Sequence, residues 1–333
     1  MTVQEVAVVV PVYLGEQCLP ALVEELAALQ EVQTSPGGRE WRVVEVLLVH
    51  DCGPDRSDRT IRALAAELPD LVRPIWLSRN FGQHAATLAG FASSAAPWVA
   101  TVDEDGQYDP NQLGVLLDAA FAEHVPLVYA HPTGGAPHAG WRNATSRGAK
   151  VLVEKLGGVP ARQFSSFRLV MGEQARSVAA YCGQGTYLDV ALTWVVSRAA
   201  VVDVPARAER RDGGPSGYDL RRLLSHFNSM VLNSGTRPLR LVASVGFVFG
   251  TLGFVGAIYI AIAALLSDID VPGWASIVVT LLVATGMLLF SLGVVAEYVG
   301  SLLRVALGRP LYVMVTDPAD TPLGEPPDPA ASP

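Results

Sequence analysis

Cysteine is scarce in this chain, and its placement argues against a disulfide-stabilised fold. Only three cysteines occur among 333 residues, at the widely spaced positions Cys18, Cys52 and Cys182. An odd number at such spacing predicts reduced thiols in a cytoplasmic domain. The first residues also lack the basic start and long apolar stretch of a signal peptide.

Basic residues are outnumbered, and several phosphate-binding motifs are absent. The 24 Lys and Arg residues against 32 Asp and Glu give a formal net charge of −8, which argues against a nucleic-acid partner. No G-x-G-x-x-G follows the first predicted strand, so a dinucleotide-binding fold is disfavoured. No G-x-x-x-x-G-K-[ST] occurs either, which excludes a P-loop NTPase. The six histidines show no zinc-ligand spacing with the cysteines.

Charge is missing altogether from two long apolar runs near the end of the chain. Residues 241–266 and 271–296 contain no Asp, Glu, Lys or Arg, and each run is 26 residues long. A helix of that length measures about 39 Å, against roughly 30 Å of membrane hydrocarbon. We therefore predict two transmembrane helices, at 239–266 and 271–301.

The flanking charges predict the orientation of these spans. Arginines lie before the first span and after the second, whereas the connection at 267–270 carries only acidic charge. The positive-inside rule then places both termini in the cytoplasm, with the protein in the cytoplasmic (inner) membrane. Between the catalytic part and the first span, residues 218–232 alternate apolar and polar faces at helical spacing. We predict a linker at 213–238 whose amphipathic helix lies in the membrane interface, although a core-facing helix has the same pattern.

The first 212 residues are predicted to form one α/β domain. Apolar runs at 6–10, 43–49, 75–77 and 98–102 predict four strands, and helical spacing of leucines follows the first two. This alternation implies a parallel sheet with helices on both faces. Ligands bind such sheets beyond the carboxyl ends of the strands, where polar loops follow all four predicted strands. The final segment, 302–333, is predicted to be a cytoplasmic tail that is disordered from about residue 317.

The loop after the fourth strand carries an Asp-x-Asp pair. Asp103 and Asp105 come directly after an apolar strand, so both carboxylates can turn toward one point. Hard divalent cations such as Mg²⁺ take oxygen ligands and bridge to substrate phosphates, which predicts a metal clamp for a nucleotide diphosphate. An acidic turn that caps the next helix explains the same pattern, with Asp109 as N-cap and Pro110 at N1.

A series of motifs gives the chain a family resemblance. In order along the sequence they are VVVPVYLGE, VHDCGPDRS, LSRNFGQHAATLAGF, DEDGQ, WRNATS, SSFRL and ERRDGGPSGY. With the two terminal apolar runs, they resemble family 2 glycosyltransferases of the polyprenyl-phosphate type, to about residue 315. The resemblance implies a GT-A-like, Rossmann-type, mostly parallel sheet followed by an interfacial helix and two transmembrane helices.

The resemblance also implies a reaction and its partners. The enzyme would move a sugar from a nucleotide diphosphate sugar, expected to be a UDP-sugar, to a polyprenyl (undecaprenyl) phosphate. Transfer would depend on Mg²⁺ or Mn²⁺ and would invert the anomeric carbon. Because the second pKa of a phosphate monoester lies near about 6, the acceptor is already a nucleophile and no general base is assigned. A homo-oligomer is left open.

The site residues follow from the same resemblance. The metal would be held by Asp103, Asp105 and Gln107. Asp105, Arg142 and Ser146 would form the catalytic set, in which Arg142 and Ser146 would face the acceptor phosphate. Donor contacts are implied for a larger group: Pro11, Tyr13, Asp51, Arg79, Asp103, Glu104, Gln107, Arg211 and Ser216. Arg79 also fits a plainer interpretation, in which it bonds loop carbonyls without touching a ligand.

Some positions depart from the family pattern. Leu14 stands where the family has an Asn, His50 where it has an acid or Asn, and Gly217 where it has a Lys. Residues 127–141 also contain no arginine that could bind a phosphate. Within that stretch His131 and His138 are the candidates, and Arg147, Lys150, Arg162 or Arg168 are candidates beyond it. These losses keep an alternative open, a catalytically weak or silent member that acts as a binding or assembly partner in a cell-envelope sugar pathway. A processive polysaccharide synthase is disfavoured because the Gln-x-x-Arg-Trp motif is absent.

Overall fold

The computed structural model describes residues 2–133, 164–183, 186–207, 273–307 and 310–322, with six single positions between 246 and 262. Several predicted features lie outside this part of the chain. They are the interfacial helix at 218–232, most of the first predicted span, and the predicted site residues Arg142, Ser146, Arg211 and Ser216.

Nine strands and seven α-helices make up the described fold. The strands are β1 (Gln4–Val12), β2 (Gln33–Thr34), β3 (Glu40–His50), β4 (Val72–Leu77), β5 (Trp98–Thr101), β6 (Leu127–Thr133), β7 (Arg168–Met171), β8 (Ala200–Pro205) and β9 (Met314–Val315). The helices are α1 (Leu19–Ala27), α2 (Ser57–Glu67), α3 (Gln83–Ser93), α4 (Leu113–Glu123), α5 (Gly172–Tyr181), α6 (Leu188–Val195) and α7 (Trp274–Ala306). The four strands predicted from apolar runs are all present, as β1, β3, β4 and β5.

The strands form one mixed sheet in the order β8-β6-β7-β5-β1-β3-β4-β9, with β2 paired to β3. The central strands β5, β1, β3 and β4 are parallel, as predicted. The sheet as a whole is mixed, because β7 runs antiparallel to both β5 and β6, β9 to β4 and β2 to β3, whereas the other six strands run in one direction. The fold is therefore an α/β mixed sheet with a parallel centre.

Helices cover both faces of the sheet. Alternate residues of β1 point to opposite faces, as the pleat requires. Val8 and Val10 join the core beneath α1, α2 and α4, whereas Val9 joins the core beneath α3, α5 and α6. The small residues of α3 let it approach β1 closely, and a Cβ added at Gly90 would lie 2.3 Å from Cγ1 of Val9.

The first residue of α2 contacts two loops. The hydroxyl of Ser57 accepts a hydrogen bond from the amide of Gly15, at 2.9 Å. The same hydroxyl donates to the carboxylate of Asp55. Ser57 therefore ties the loop after β1 to the loop after β3, which are both at the predicted ligand edge.

The C-terminal segment also differs from its prediction. Disorder was expected from about residue 317, but Asp317 is the N-cap of a 3₁₀ turn, Pro318–Asp320, and pairs with Arg62. Just before it, β9 adds an edge strand to β4. Residues 310–322 are thus part of the α/β domain, even though they follow the last predicted span.

The second predicted span coincides with a helix. The 33-residue helix α7 begins three residues inside the predicted range 271–301 and ends at Ala306. Side chains at several of its positions fall outside the description, and among the described residues no helix qualifies by length and apolarity as a membrane span.

Candidate functional site

Four loops meet at one edge of the sheet, as the sequence predicts. Because β5, β1, β3 and β4 are parallel neighbours, the loops that follow them all leave from the same edge. The antiparallel strand β7 begins at this edge too, since Arg168 pairs with Thr101 at the end of β5. Residues 164–167 therefore join the four predicted loops.

The loop after β1 is held by side chains from two neighbouring loops. The carboxylate of Glu104 accepts hydrogen bonds from the amides of Tyr13 and Leu14, at 2.9 and 3.0 Å. The next two amides, of Gly15 and Glu16, donate to Ser57 and Asp55. Four successive amides are thus satisfied from the loops after β3 and β5, which fixes the backbone of the loop after β1.

Glu104 therefore has a role that its sequence position did not reveal. It lies between the two aspartates of the Asp-x-Asp pair and was predicted to contact the donor. Its carboxylate instead binds backbone amides on a loop about 90 residues earlier in the chain. The side chain couples the Asp-x-Asp loop to the loop that carries Tyr13.

Asp51 makes a second clamp of the same kind. Its two carboxylate oxygens accept hydrogen bonds from the amides of Phe81 and Gly82, at 2.7 and 2.8 Å. Burial raises the pKa of Asp51, and these two hydrogen bonds oppose that rise. Gly82 has φ of +92°, a conformation that suits glycine, and is the N-cap residue of α3. Asp51 therefore fixes the loop between β4 and α3.

The Asp-x-Asp pair lies between these two clamps. Burial raises the pKa of Asp103, and the negative charge of Asp105 raises it further. Gln83 donates to Asp103 at 2.6 Å, and the amide of Gln107 donates to Asp105 at 3.0 Å. Two carboxylates that repel each other at a partly buried edge make a donor set that a divalent cation would neutralise.

The residues present fit Mg²⁺ or Mn²⁺ as partial ligands. Within the described part of the chain, no group of three or more His, Cys, Asp and Glu side chains could hold a metal by itself. Mg²⁺ sites commonly use one or two carboxylates and complete the shell with water and substrate phosphates. Asp103 and Asp105, with Gln107 beside them, match that pattern.

The helix-capping interpretation is also correct, but it concerns a different residue. The carboxylate of Asp109 accepts from the amide of Asn111 at 3.0 Å and so caps the 3₁₀ turn that leads into α4. Arg207 pairs with Asp109 at 2.6 Å, and its amide donates to the carbonyl of Gln107. Capping uses Asp109, so it does not account for Asp103 and Asp105.

The remaining predicted donor residues that the structure describes differ in their exposure and contacts. Tyr13 is 40% exposed at the edge, which leaves its ring accessible. Pro11 lies inside β1, opposite Val49, and is buried. The guanidinium of Arg79 lies 4.1 Å from the ring centre of Phe81 and donates to the carbonyl of Asn80, which matches its plainer interpretation. The unusual His50 is buried edge-on to Trp76, and burial lowers its pKa.

Arg168 does not supply the missing phosphate-binding charge. It was considered as a substitute phosphate ligand, but β7 lies inside the sheet and the side chain is buried. Its guanidinium pairs with Asp189, which also accepts from the hydroxyl of Tyr129 at 3.0 Å. Sequence spacing gave no sign of this pair. His131, another candidate, lies 3.1 Å from Asp203 on an exposed strand end.

Comparison with known proteins identifies the fold and its chemistry. The domain described as Glycosyl transferase family 2 matches residues 7–168, and the GtrB C-terminal hairpin matches residues 237–302. Residues 7–168 form a glycosyl transferase family 2 domain. The chain is a glycosyltransferase, and the predicted resemblance to the polyprenyl-phosphate type is confirmed.

Curated relatives align over almost the whole chain. An undecaprenyl-phosphate 4-deoxy-4-formamido-L-arabinose transferase from Yersinia enterocolitica is 25% identical, over 93% of this chain and 92% of the relative. The proteins of that name from Aeromonas hydrophila and Pseudomonas aeruginosa are each 29% identical, over 92% of this chain and 92% and 88% of their own.

Solved structures resemble the chain more distantly. Glucosyl-3-phosphoglycerate synthase from Mycobacterium tuberculosis, in complex with Mn²⁺, UDP and glucosyl-3-phosphoglycerate, is 15% identical with a TM-score of 0.47. The match covers 70% of this chain and 80% of that one. At this identity and TM-score, the comparison gives no information about the site residues.

Proposed function

We propose that this family 2 glycosyltransferase moves a sugar from a UDP-sugar to a polyprenyl phosphate, with undecaprenyl phosphate as the acceptor. The observation that carries the proposal is the single edge at which Glu104 and Asp51 fix two loops on either side of the Asp103 and Asp105 pair. The names of the relatives that align over the full chain support the lipid phosphate acceptor. The reaction is proposed to be a single displacement that inverts the anomeric carbon.

The chain's own residues would bind and orient the donor. Asp103 and Asp105, with Gln107, would hold a Mg²⁺ or Mn²⁺ ion. When bound, the ion would neutralise the departing diphosphate. Tyr13, on the loop that Glu104 fixes, would contact the nucleoside. The acceptor phosphate needs no protein base, because it is largely ionised at neutral pH.

The acceptor side and the membrane complete the proposal. Arg142 and Ser146 are proposed to face the acceptor phosphate, and Arg211 and Ser216 to contact the donor. Two membrane spans at 239–266 and 271–301, both termini in the cytoplasm, and an interfacial helix at 218–232 would bring the catalytic edge to the inner leaflet. The hairpin match over residues 237–302 supports this arrangement.

Direct assay tests the function. Purified protein in detergent or nanodiscs would be incubated with undecaprenyl phosphate, Mn²⁺ or Mg²⁺ and a panel of radiolabelled nucleotide sugars. We expect label in the lipid phase from one UDP-sugar and only with metal. Nucleotide binding without transfer from any donor would instead indicate a catalytically silent binding partner. Transfer in the presence of excess chelator would contradict the proposed metal dependence.

Substitution of Glu104 separates loop fixation from metal binding. Glu104→Ala leaves the amides of Tyr13 and Leu14 without their acceptor, and a hydrogen bond to a charged group contributes about 1.5–3 kcal/mol. UDP affinity measured by calorimetry should fall about tenfold or more. The Mg²⁺ concentration that gives half-maximal binding should hardly change, since the ligands remain. Glu104→Gln keeps one acceptor oxygen, so its UDP affinity should lie between those of the wild type and Glu104→Ala. A large shift in metal dependence would instead indicate that Glu104 is a metal ligand.

Substitution of Asp51 tests whether it contacts the base. Asp51→Ala removes the acceptor for the amides of Phe81 and Gly82, so UDP affinity should fall about tenfold or more. Uracil presents a ring N–H where cytosine presents an acceptor nitrogen, so the ratio of UDP to CDP affinity distinguishes two modes. If Asp51 acts through the loop, both nucleotides weaken equally. Collapse of the UDP preference in the variant would instead show that Asp51 contacts the base directly.

A further inference from the structure

The segment that follows the last predicted span returns to the catalytic domain. We define residues 310–322 as the C-terminal strap. Its strand β9 pairs antiparallel with the end of β4, with Val315 opposite Trp76 and Met314 opposite Leu77. One residue further, the amide of Ser78 donates to the carbonyl of Val313 at 2.9 Å. The strap therefore covers what would otherwise be an open strand edge.

An ion pair fastens the strap at a second point. The guanidinium of Arg62, on α2, donates to both carboxylate oxygens of Asp317, with two of these contacts at 2.8 Å. Arg62 also pairs with Asp58 and lies 5.0 Å from the ring centre of Trp76. The hydrogen bond with Asp317 raises the pKa of Arg62. A two-pronged arginine–carboxylate pair fixes orientation as well as distance.

The strap reaches the loop that the donor would contact. Ser78, which it binds, begins the loop between β4 and α3. Three and four residues later, the amides of Phe81 and Gly82 bind Asp51 at the catalytic edge. This loop is thus held at its start by the strap and at its end by Asp51.

We propose that the C-terminal strap is a positioning element for nucleotide binding, with Arg62 and Asp317 as the residues that lock it. The inference rests on the proposed function for the identity of the ligand. If docking of the strap positions this loop for UDP binding at the catalytic edge, thermodynamic linkage requires UDP to stabilise the docked strap by the same factor. A purely structural tail would show no such coupling.

The test uses the full-length protein in detergent with Mn²⁺ and UDP. Asp317→Ala removes the carboxylate that binds Arg62. Asp317→Arg places a second positive charge beside Arg62, and Asp317→Glu keeps a carboxylate that can accept hydrogen bonds from the guanidinium of Arg62. Asp320→Ala is the matched control, because it removes an exposed carboxylate from the same 3₁₀ turn. Calorimetry gives UDP affinity, and hydrogen exchange follows the peptides that contain Ser78 and residues 311–316, with and without UDP.

We expect UDP to slow exchange in both peptides of the wild type. Affinity for UDP should fall about threefold to tenfold in Asp317→Ala, a loss typical of a partly buried ion pair, and further in Asp317→Arg. The Asp317→Glu variant should recover most of it, and Asp320→Ala should match the wild type. The proposed role of the strap would be overturned by unchanged UDP affinity in Asp317→Arg, or by hydrogen exchange that UDP does not slow in the wild type. If the wild type binds no UDP, the proposed donor fails, and the inference with it.

Discussion

Replacing Asp105 with alanine is expected to abolish sugar transfer, with a loss of at least about a hundredfold. Burial raises the pKa of Asp103, and the negative charge of Asp105 beside it adds to that rise. A divalent cation bound there would relieve the repulsion between the two carboxylates and would link the pair to the donor diphosphate. With one carboxylate gone, the remaining side chain would not be expected to hold the ion in position.

Thermal unfolding with and without metal distinguishes this effect from misfolding. A ligand that binds only the folded state raises the unfolding temperature, so Mn²⁺ with UDP should stabilise the wild type and not Asp105→Ala. Without metal the variant should unfold close to the wild type, since it loses one turn hydrogen bond and also one like-charge repulsion. Asp70→Ala is the matched control, because Asp70 is exposed just before β4, at the opposite edge. Metal-dependent transfer by Asp105→Ala at the wild-type rate would remove Asp105 from the metal site.

The sequence predicts the centre of the fold because its signals there are local. Continuous apolar runs such as 6–10 indicate strands buried on both faces, and the structure extends that one to Gln4–Val12. Alternation with helices then implies parallel order, and parallel order places the following loops at one edge. The position of Asp103 and Asp105 at that edge follows from the same reasoning.

The contacts that fix the site could not be read from the sequence, because they join distant residues. Glu104 and Asp51 were both predicted to contact the donor, and in the structure both bind backbone amides of other loops. A carboxylate in a loop motif is the same residue type whether it binds a ligand or a backbone amide. Only the tertiary structure determines which of the two it contacts. Arg168 was misjudged for a related reason, since its partner Asp189 lies on α6 and its burial depends on strand β7 lying inside the sheet.

The C-terminal segment was misjudged because composition describes only average behaviour. A tail rich in Pro, Asp and Glu suggests disorder. Two pairs with β4 and one ion pair to Arg62 nevertheless hold its first part in place. Such a short strand carries almost no periodic signal, so neither its existence nor its partner could be predicted.

This placement of the strap changes what removal of the membrane hairpin should do. A variant that ends at residue 238 loses the predicted spans and the strap together, so β4 regains an open edge, and Ser78 at the start of the loop after β4 loses its hydrogen bond to the carbonyl of Val313. We expect this variant to bind UDP weakly. A second variant, in which a flexible Gly/Ser linker of about 20 residues replaces 239–309, keeps the strap with a linker reach of about 25 Å.

The second variant should bind UDP as the full chain does, but both variants should transfer poorly to undecaprenyl phosphate in bilayers. Because the reacting groups are proposed to lie outside the membrane, the strap-containing variant should still glycosylate a short, water-soluble polyprenyl phosphate. Calorimetry with UDP and the two acceptor assays measure these three quantities. Full UDP affinity in the variant that ends at residue 238 would show that the strap is dispensable. Full activity of the strap-containing variant on bilayer substrate would show that the hairpin is not needed to reach the lipid, which would contradict the proposed access from the inner leaflet.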